Sequence, residues 1–232
     1  MSSLLSFIEG GVANKSVIVF LAGFPDNETS AWGNISQNKL GEDHRLIFLC
    51  LPEFQLGNHK FVRWGYTFDE ILNKMYATLY SLNVIQSGKF DLIVHDWGAI
   101  IGLKYQNKYP EQVRKMVMLD VAMLEPHHTE LKYKLRILCY QIWWAMCYFI
   151  SQAISFQFGQ LLFYISICRP IVWLGPMPIE PLEIPSNEMT VAKCYPYYYL
   201  WRDKMSGSWI EPKYPTCSLY YMVCMLFVTY CV

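Results

Sequence analysis

Asp96 is the residue whose type and setting could best do chemistry. It follows the apolar, β-branched run Phe90 to Val94 (FDLIV) and His95, and precedes Trp97, Gly98 and Ala99. A side chain at the tip of a sharp strand-to-helix bend is thrust outward, and the bend closes only when its neighbours carry little bulk. Gly98 and Ala99 meet that need on the helix side, whereas Val94, two residues before Asp96, is larger than such a turn usually admits. The amides at the start of the following helix would stabilise the carboxylate charge. Two roles fit this position: a nucleophile presented to a ligand, or an N-cap closing the helix that begins near Trp97. The strand-helix setting, together with the loop after Leu21, favours the nucleophile.

Such a turn needs a sheet to hold it. Residues 16 to 21 (SVIVFL) form a continuous apolar run that ends at Ala22-Gly23-Phe24-Pro25. Arg45 to Leu51 (RLIFLCL) stops at Pro52, and Lys115 to Val121 (KMVMLDV) supplies a fourth strand. Runs of this kind suit strands buried on both faces. Between them, Thr67 to Val84 places Phe68, Ile71, Leu72, Met75, Leu79 and Leu82 at helical spacing, with Thr67 or Asp69 available as a cap. Gly98 to Tyr109 reads as a further helix closed by Pro110. The alternation predicts an α/β fold, a mainly parallel sheet flanked by helices. From about His127 the texture changes: Leu135 to Leu174 is aromatic and nearly uncharged, a proline-rich stretch follows, and YPYYYLW spans Tyr195 to Trp201. This predicts an inserted helical lid, with no further strand until about Ser218. The expected division is a core over 1–126, a lid over 127–212 and the start of a second core segment over 213–232.

Composition removes several classes of function. The 232 residues carry 19 basic and 19 acidic side chains, so no net field draws in a polyanion and nucleic-acid binding is not expected. The eight cysteines include no C-x-x-C pair and no His/Cys cluster at zinc-ligand spacing, so no metal or other cofactor is expected. The N-terminal residues lack the basic region and apolar length of a secretory signal, which makes a cytoplasmic location the expectation. Ile137 to Ile150 is apolar over 14 residues, short of the roughly 20 that a bilayer requires. A buried lid helix is the favoured reading, and membrane association through this region or the apolar tail is the alternative.

Several segments resemble the epoxide hydrolase and haloalkane dehalogenase branch of the α/β hydrolases. HDWGA at 95–99 is similar to that branch's nucleophile motif, and GFP at 23–25 to its oxyanion loop, with Ala22 where histidine is usual. LPEF at 51–54 is similar to LPGF, with Glu53 in place of glycine, and LDVA at 119–122 and the aromatic lid fit the same plan. The resemblance implies the α/β-hydrolase fold and attack of Asp96 on a saturated carbon of a small apolar substrate, opening an epoxide or displacing a halide to give an alkyl-enzyme ester. It further implies an oxyanion hole from the Phe24 and Trp97 amides. Lid residues Tyr195, Tyr197, Tyr198, Tyr199 and Trp201 become candidates for substrate binding, the tyrosines as donors to an epoxide oxygen.

Hydrolysis of that ester needs a base, which in the branch is a histidine after the last strand. No histidine follows His128, and the usual G-x-x-D acid does not appear after Ser218, so His44, His59, His127 and His128 are the remaining candidates for the base. Asp120 is a substitute acid in the position some dehalogenases use, or a strand-end aspartate bonded to the sheet. His95, beside Asp96, is expected to point away from it. The inventory therefore reads as a C-terminally truncated relative lacking the last strands, with nucleophile present and triad incomplete. Two functions compete: an impaired epoxide-hydrolase-type enzyme, and a non-catalytic ligand-binding or interaction protein.

Overall fold

The computed structural model describes residues 4–13, 15–33, 39–55, 62–119, 131–168, 189–213 and 218–222. These fall in two compact units: a sheet with its helices, and a helical unit made of 62–66 and the described part of 131–209.

Among the described residues the sheet has six strands: β1 (Ser6–Gly11), β2 (Val17–Leu21), β3 (Arg45–Cys50), β4 (Phe90–His95), β5 (Val113–Leu119) and β6 (Ser218–Met222). Their order is β1-β3-β2-β4-β5-β6, with β1 antiparallel to β3 and every other pair parallel. The apolar runs therefore form a parallel sheet, as their composition predicts. All of β2 is buried, which is why it reads as uninterrupted hydrophobic sequence. Strand β1 has no counterpart among the strands expected from sequence. It is an edge strand of mixed exposure containing Gly10, Gly11 and a glutamate, Glu9, that pairs with Arg45 at 2.8 Å. With one neighbour and one solvated side, it needs little apolar side chain.

The core between sheet and helices is aromatic near β2. Phe20 stacks on Phe48 at 4.7 Å and meets Trp32 edge-on at 5.1 Å. Helix α1 is Lys39–Asp43, α2 is Phe68–Ser81, α3 is Val84–Ser87 and α4 is Trp97–Lys108. Of the two possible caps on α2, Thr67 is the one used. Its hydroxyl accepts from the Glu70 amide at 3.3 Å while the Glu70 carboxylate accepts from the Thr67 amide at 2.8 Å, a reciprocal capping box. Thr67→Ala is expected to lower stability by about 1 kcal/mol. A shift in urea midpoint without a change in slope would register the loss.

In the helical unit, α5 (Leu131–Ala153), α6 (Phe156–Cys168) and α7 (Tyr195–Ser206) pack through aromatic side chains, with a single 3-10 turn at Val191–Cys194 leading into α7. The sequence reads as one long lid stretch; the structure breaks it at Ile154 and Ser155 into two helices. Among the described residues, no helix is long and apolar enough to cross a membrane. Burial pushes the Cys147 thiol up to about 12, while Cys139 on the same helix is exposed. Iodoacetamide at mildly alkaline pH is expected to label Cys139 at least roughly a hundredfold faster than Cys147, because the thiolate is the reactive form. Peptide mapping of a labelling time course reads the ratio.

Candidate active site

The site begins with strand register. Leu21 pairs with Leu49 on one side and Val94 on the other, so the loops leaving β2, β3 and β4 emerge side by side at the carboxyl edge of the sheet. Ligands bind at that edge in open α/β sheets.

Asp96 occupies the turn between β4 and α4 with φ 51° and ψ −123°. For a residue with a β-carbon this backbone costs on the order of 1–3 kcal/mol. Its side chain makes no capping hydrogen bond to α4; the first turn is closed instead by the Asp96 carbonyl, which accepts from the Ala99 amide at 2.9 Å. The carboxylate turns to the neighbouring loop, where Oδ2 accepts from the Phe24 amide at 2.7 Å. Helix capping is thus not what this side chain does.

Two close approaches make the bend possible. A β-carbon at Gly98 would fall on the Leu21 carbonyl oxygen, and one at Gly23 would fall on the Trp97 amide nitrogen and Asp96 Oδ2. Helix α4 therefore rests directly on the end of β2, and the loop after β2 rests on the bend. The bulk of Val94 is accommodated one helical turn on. Gly102 faces it, and a β-carbon there would stand only 2.8 Å from Val94 Cγ1.

The loop after β3 holds Glu53, which the sequence places where the similar motif has glycine and to which it assigns no role. Glu53 is 3% exposed and adopts φ 68°, a left-handed backbone that favours glycine. The resemblance of LPEF to a glycine-containing motif was the available signal. Beside it, the Phe54 ring meets Phe24 edge-on at 6.4 Å.

The other predicted residues are placed as follows. His95 Nδ1 lies 4.0 Å from Asp26 Oδ2, turned toward the loop after β2. His44 bonds Ser16 at 2.7 Å at the amino end of the sheet. A strand of five residues separates that end from the Asp96 edge by roughly 17 Å, so His44 cannot act on a group held there. Asp120, His59, His127 and His128 lie outside the described residues. Tyr195, Tyr197, Tyr198, Tyr199 and Trp201 share α7. Tyr197 packs edge-on against Trp144 at 5.1 Å, and Tyr198 packs 5.6 Å from Trp64. The Tyr199 hydroxyl donates to the Trp64 carbonyl at 2.8 Å, with Arg202 stacked 4.3 Å from its ring centre. Lys204 lies 5.5 Å from the Trp201 ring.

No family model matches the chain. Among curated proteins, 59 residues are 39% identical to a cis-3-alkyl-4-alkyloxetan-2-one decarboxylase of Shewanella oneidensis, covering 25% of this chain and 18% of that protein. A stretch of 117 residues is 20% identical to epoxide hydrolase 1 of Caenorhabditis elegans, covering 50% of this chain and 28% of that protein. The matched stretches thus span less than a third of these relatives' lengths. Among solved structures, an epoxide hydrolase of Vigna radiata superposes with TM-score 0.62 at 19% identity, over 94% of this chain and 74% of that one. Epoxide hydrolase A of Mycobacterium thermoresistibile superposes with TM-score 0.64 at 12% identity, over 94% and 77%. An epoxide hydrolase of Bacillus megaterium gives 0.55 at 22% identity, over 84% and 68%. At these identities the likeness establishes a shared fold.

Proposed function

Because the chain has the α/β-hydrolase fold, we propose that it is an epoxide-hydrolase-type protein whose nucleophile is Asp96. The observation carrying this reading is the 2.7 Å hydrogen bond from the Phe24 amide to Asp96 Oδ2, made by a carboxylate that leaves its own helix uncapped. With Oδ2 bonded to the Phe24 amide, Oδ1 is the oxygen proposed to attack. The bond from Oδ1 to a saturated carbon forms as the carbon–oxygen bond of an epoxide breaks, and the released oxygen takes up a proton.

Tyr195, Tyr197, Tyr198 and Tyr199 are the proposed donors of that proton; the Tyr199 hydroxyl also donates to the Trp64 carbonyl. An alkyl halide would undergo the same displacement with halide leaving. Water attack on the ester carbonyl then places negative charge on Oδ2. The Phe24 amide that holds this oxygen in the free carboxylate is the natural donor to the oxyanion, with the Trp97 amide as second donor. A carboxylate suits the task because its ester is cleaved at the acyl carbon and the nucleophile is regenerated.

The second step is where these 232 residues are poorly equipped. No histidine follows His128, and Asp120 is the proposed substitute acid. The chain itself is therefore expected to form the ester and release it slowly. The free thiols of Cys139, Cys147 and Cys194 support a reducing location such as the cytoplasm. Intact-mass measurement after incubation with styrene oxide, followed by peptide mapping, tests the proposal. One adduct on the Asp96 peptide is expected; a folded chain with none there would leave the binding-protein reading.

A further inference from the structure

Independently of the chemistry at Asp96, the helical unit carries apolar surface that it does not itself cover. On α5, Leu131, Leu135, Leu138, Ile142, Met146 and Phe149 are between 37 and 71% exposed. Steps of three and four residues keep all six within one narrow stripe of the helix. At 1.5 Å per residue the stripe is about 27 Å long. The packing side of α5 is a different one: Tyr140 and Trp144 meet Tyr197, Tyr148 meets Tyr198, and Trp144 Nε1 donates to Ser166 on α6 at 3.2 Å. Helix α6 repeats the pattern with Phe158, Leu161 and Ile165 exposed at the same spacing, and Ile154, between the helices, is 73% exposed. Apolar surface on this scale marks an interaction face.

Charge selects the occupant. From Leu131 to Cys168 the sequence contains no aspartate or glutamate. Its three charged residues, Lys132, Lys134 and Arg136, are all basic and all lie in the first two turns of α5. A second copy of the chain offers no negative charge from its own α5 and α6, whereas an anionic lipid surface supplies negative headgroups together with acyl chains. Neither helix is long and apolar enough to span a bilayer, so the geometry is that of a helix lying in the interface plane. We propose that α5, with α6 beside it, docks on an anionic lipid bilayer with its leucine-rich stripe toward the acyl chains.

Sedimentation of the full chain with vesicles tests this. Vesicles of phosphatidylcholine and phosphatidylserine are expected to carry the chain down, and added salt or vesicles of phosphatidylcholine alone to weaken binding severalfold. Ile142→Glu with Met146→Glu, both at exposed positions, should reduce partitioning by about tenfold or more with circular dichroism unchanged. A wild-type chain that stays in the supernatant with both vesicle types overturns the proposal without reference to any variant. So does a concentration-dependent dimer, dissociated by the same double substitution, in place of vesicle binding. Equal binding to both vesicle types overturns the role assigned to charge.

Discussion

Asp96→Asn is expected to reduce epoxide labelling of the site by at least about a thousandfold while leaving the fold intact. Asparagine has nearly the shape of aspartate and tolerates positive φ about as well, so the 51° backbone does not penalise the exchange. Its amide oxygen can still accept from the Phe24 amide, which keeps the contact between the two loops. What disappears is the anionic oxygen proposed to attack carbon. Stability should change by less than about 1 kcal/mol, which separates lost chemistry from lost structure. The comparison must be made on the Asp96 peptide, because the exposed thiol of Cys139 is itself an acceptor for epoxides. Equal labelling of that peptide in both proteins would end the nucleophile proposal.

Gly98→Ala should be a strongly damaging conservative change in the sheet unit. The added carbon would land on the Leu21 carbonyl oxygen, a backbone atom held at the end of a fully buried strand paired on both sides. Nothing flexible is available to yield, so α4 must lift away from β2. Forced overpacking of this kind costs about 1–3 kcal/mol, with the upper end expected where the obstacle is main chain. For a chain of this size that corresponds to a fall in Tm of roughly 6–12 °C. Lifting α4 also moves Asp96 away from the Phe24 amide, so labelling should fall with stability. An unchanged Tm together with unchanged labelling would refute the close approach of α4 to β2. Together the two substitutions distinguish the group proposed to react from the packing that presents it.

Much of this could be read before any coordinates. A strand buried on both faces must be apolar throughout, so β2 and β3 announce themselves as runs ending in loop residues, and the apolar stretches within the half-buried β4 and β5 are long enough to be read in the same way. A helix with one buried face must repeat every three or four residues, which exposes α2 together with its Thr67 cap. The same logic explains what was hidden. Strand β1 is half solvated and contains two glycines, so neither rule applies to it. The fit of Val94 against Gly102 joins residues on different elements, and only packing reveals it. The tyrosines of α7 illustrate the limit most clearly: composition assembles them in one run, but the bond from Tyr199 to Trp64 depends on a partner 135 residues away.

By itself, then, the sequence determined which segments form strands and helices and that a carboxylate stands at the end of β4, because those properties follow from local periodicity and side-chain bulk. Tertiary structure alone decided that β2 and β4 are neighbours, although about seventy residues separate their ends along the chain. Hydrogen bonding between those strands, and not any local preference, brings the Phe24 amide to Asp96 Oδ2 and gives the carboxylate a partner other than its own helix.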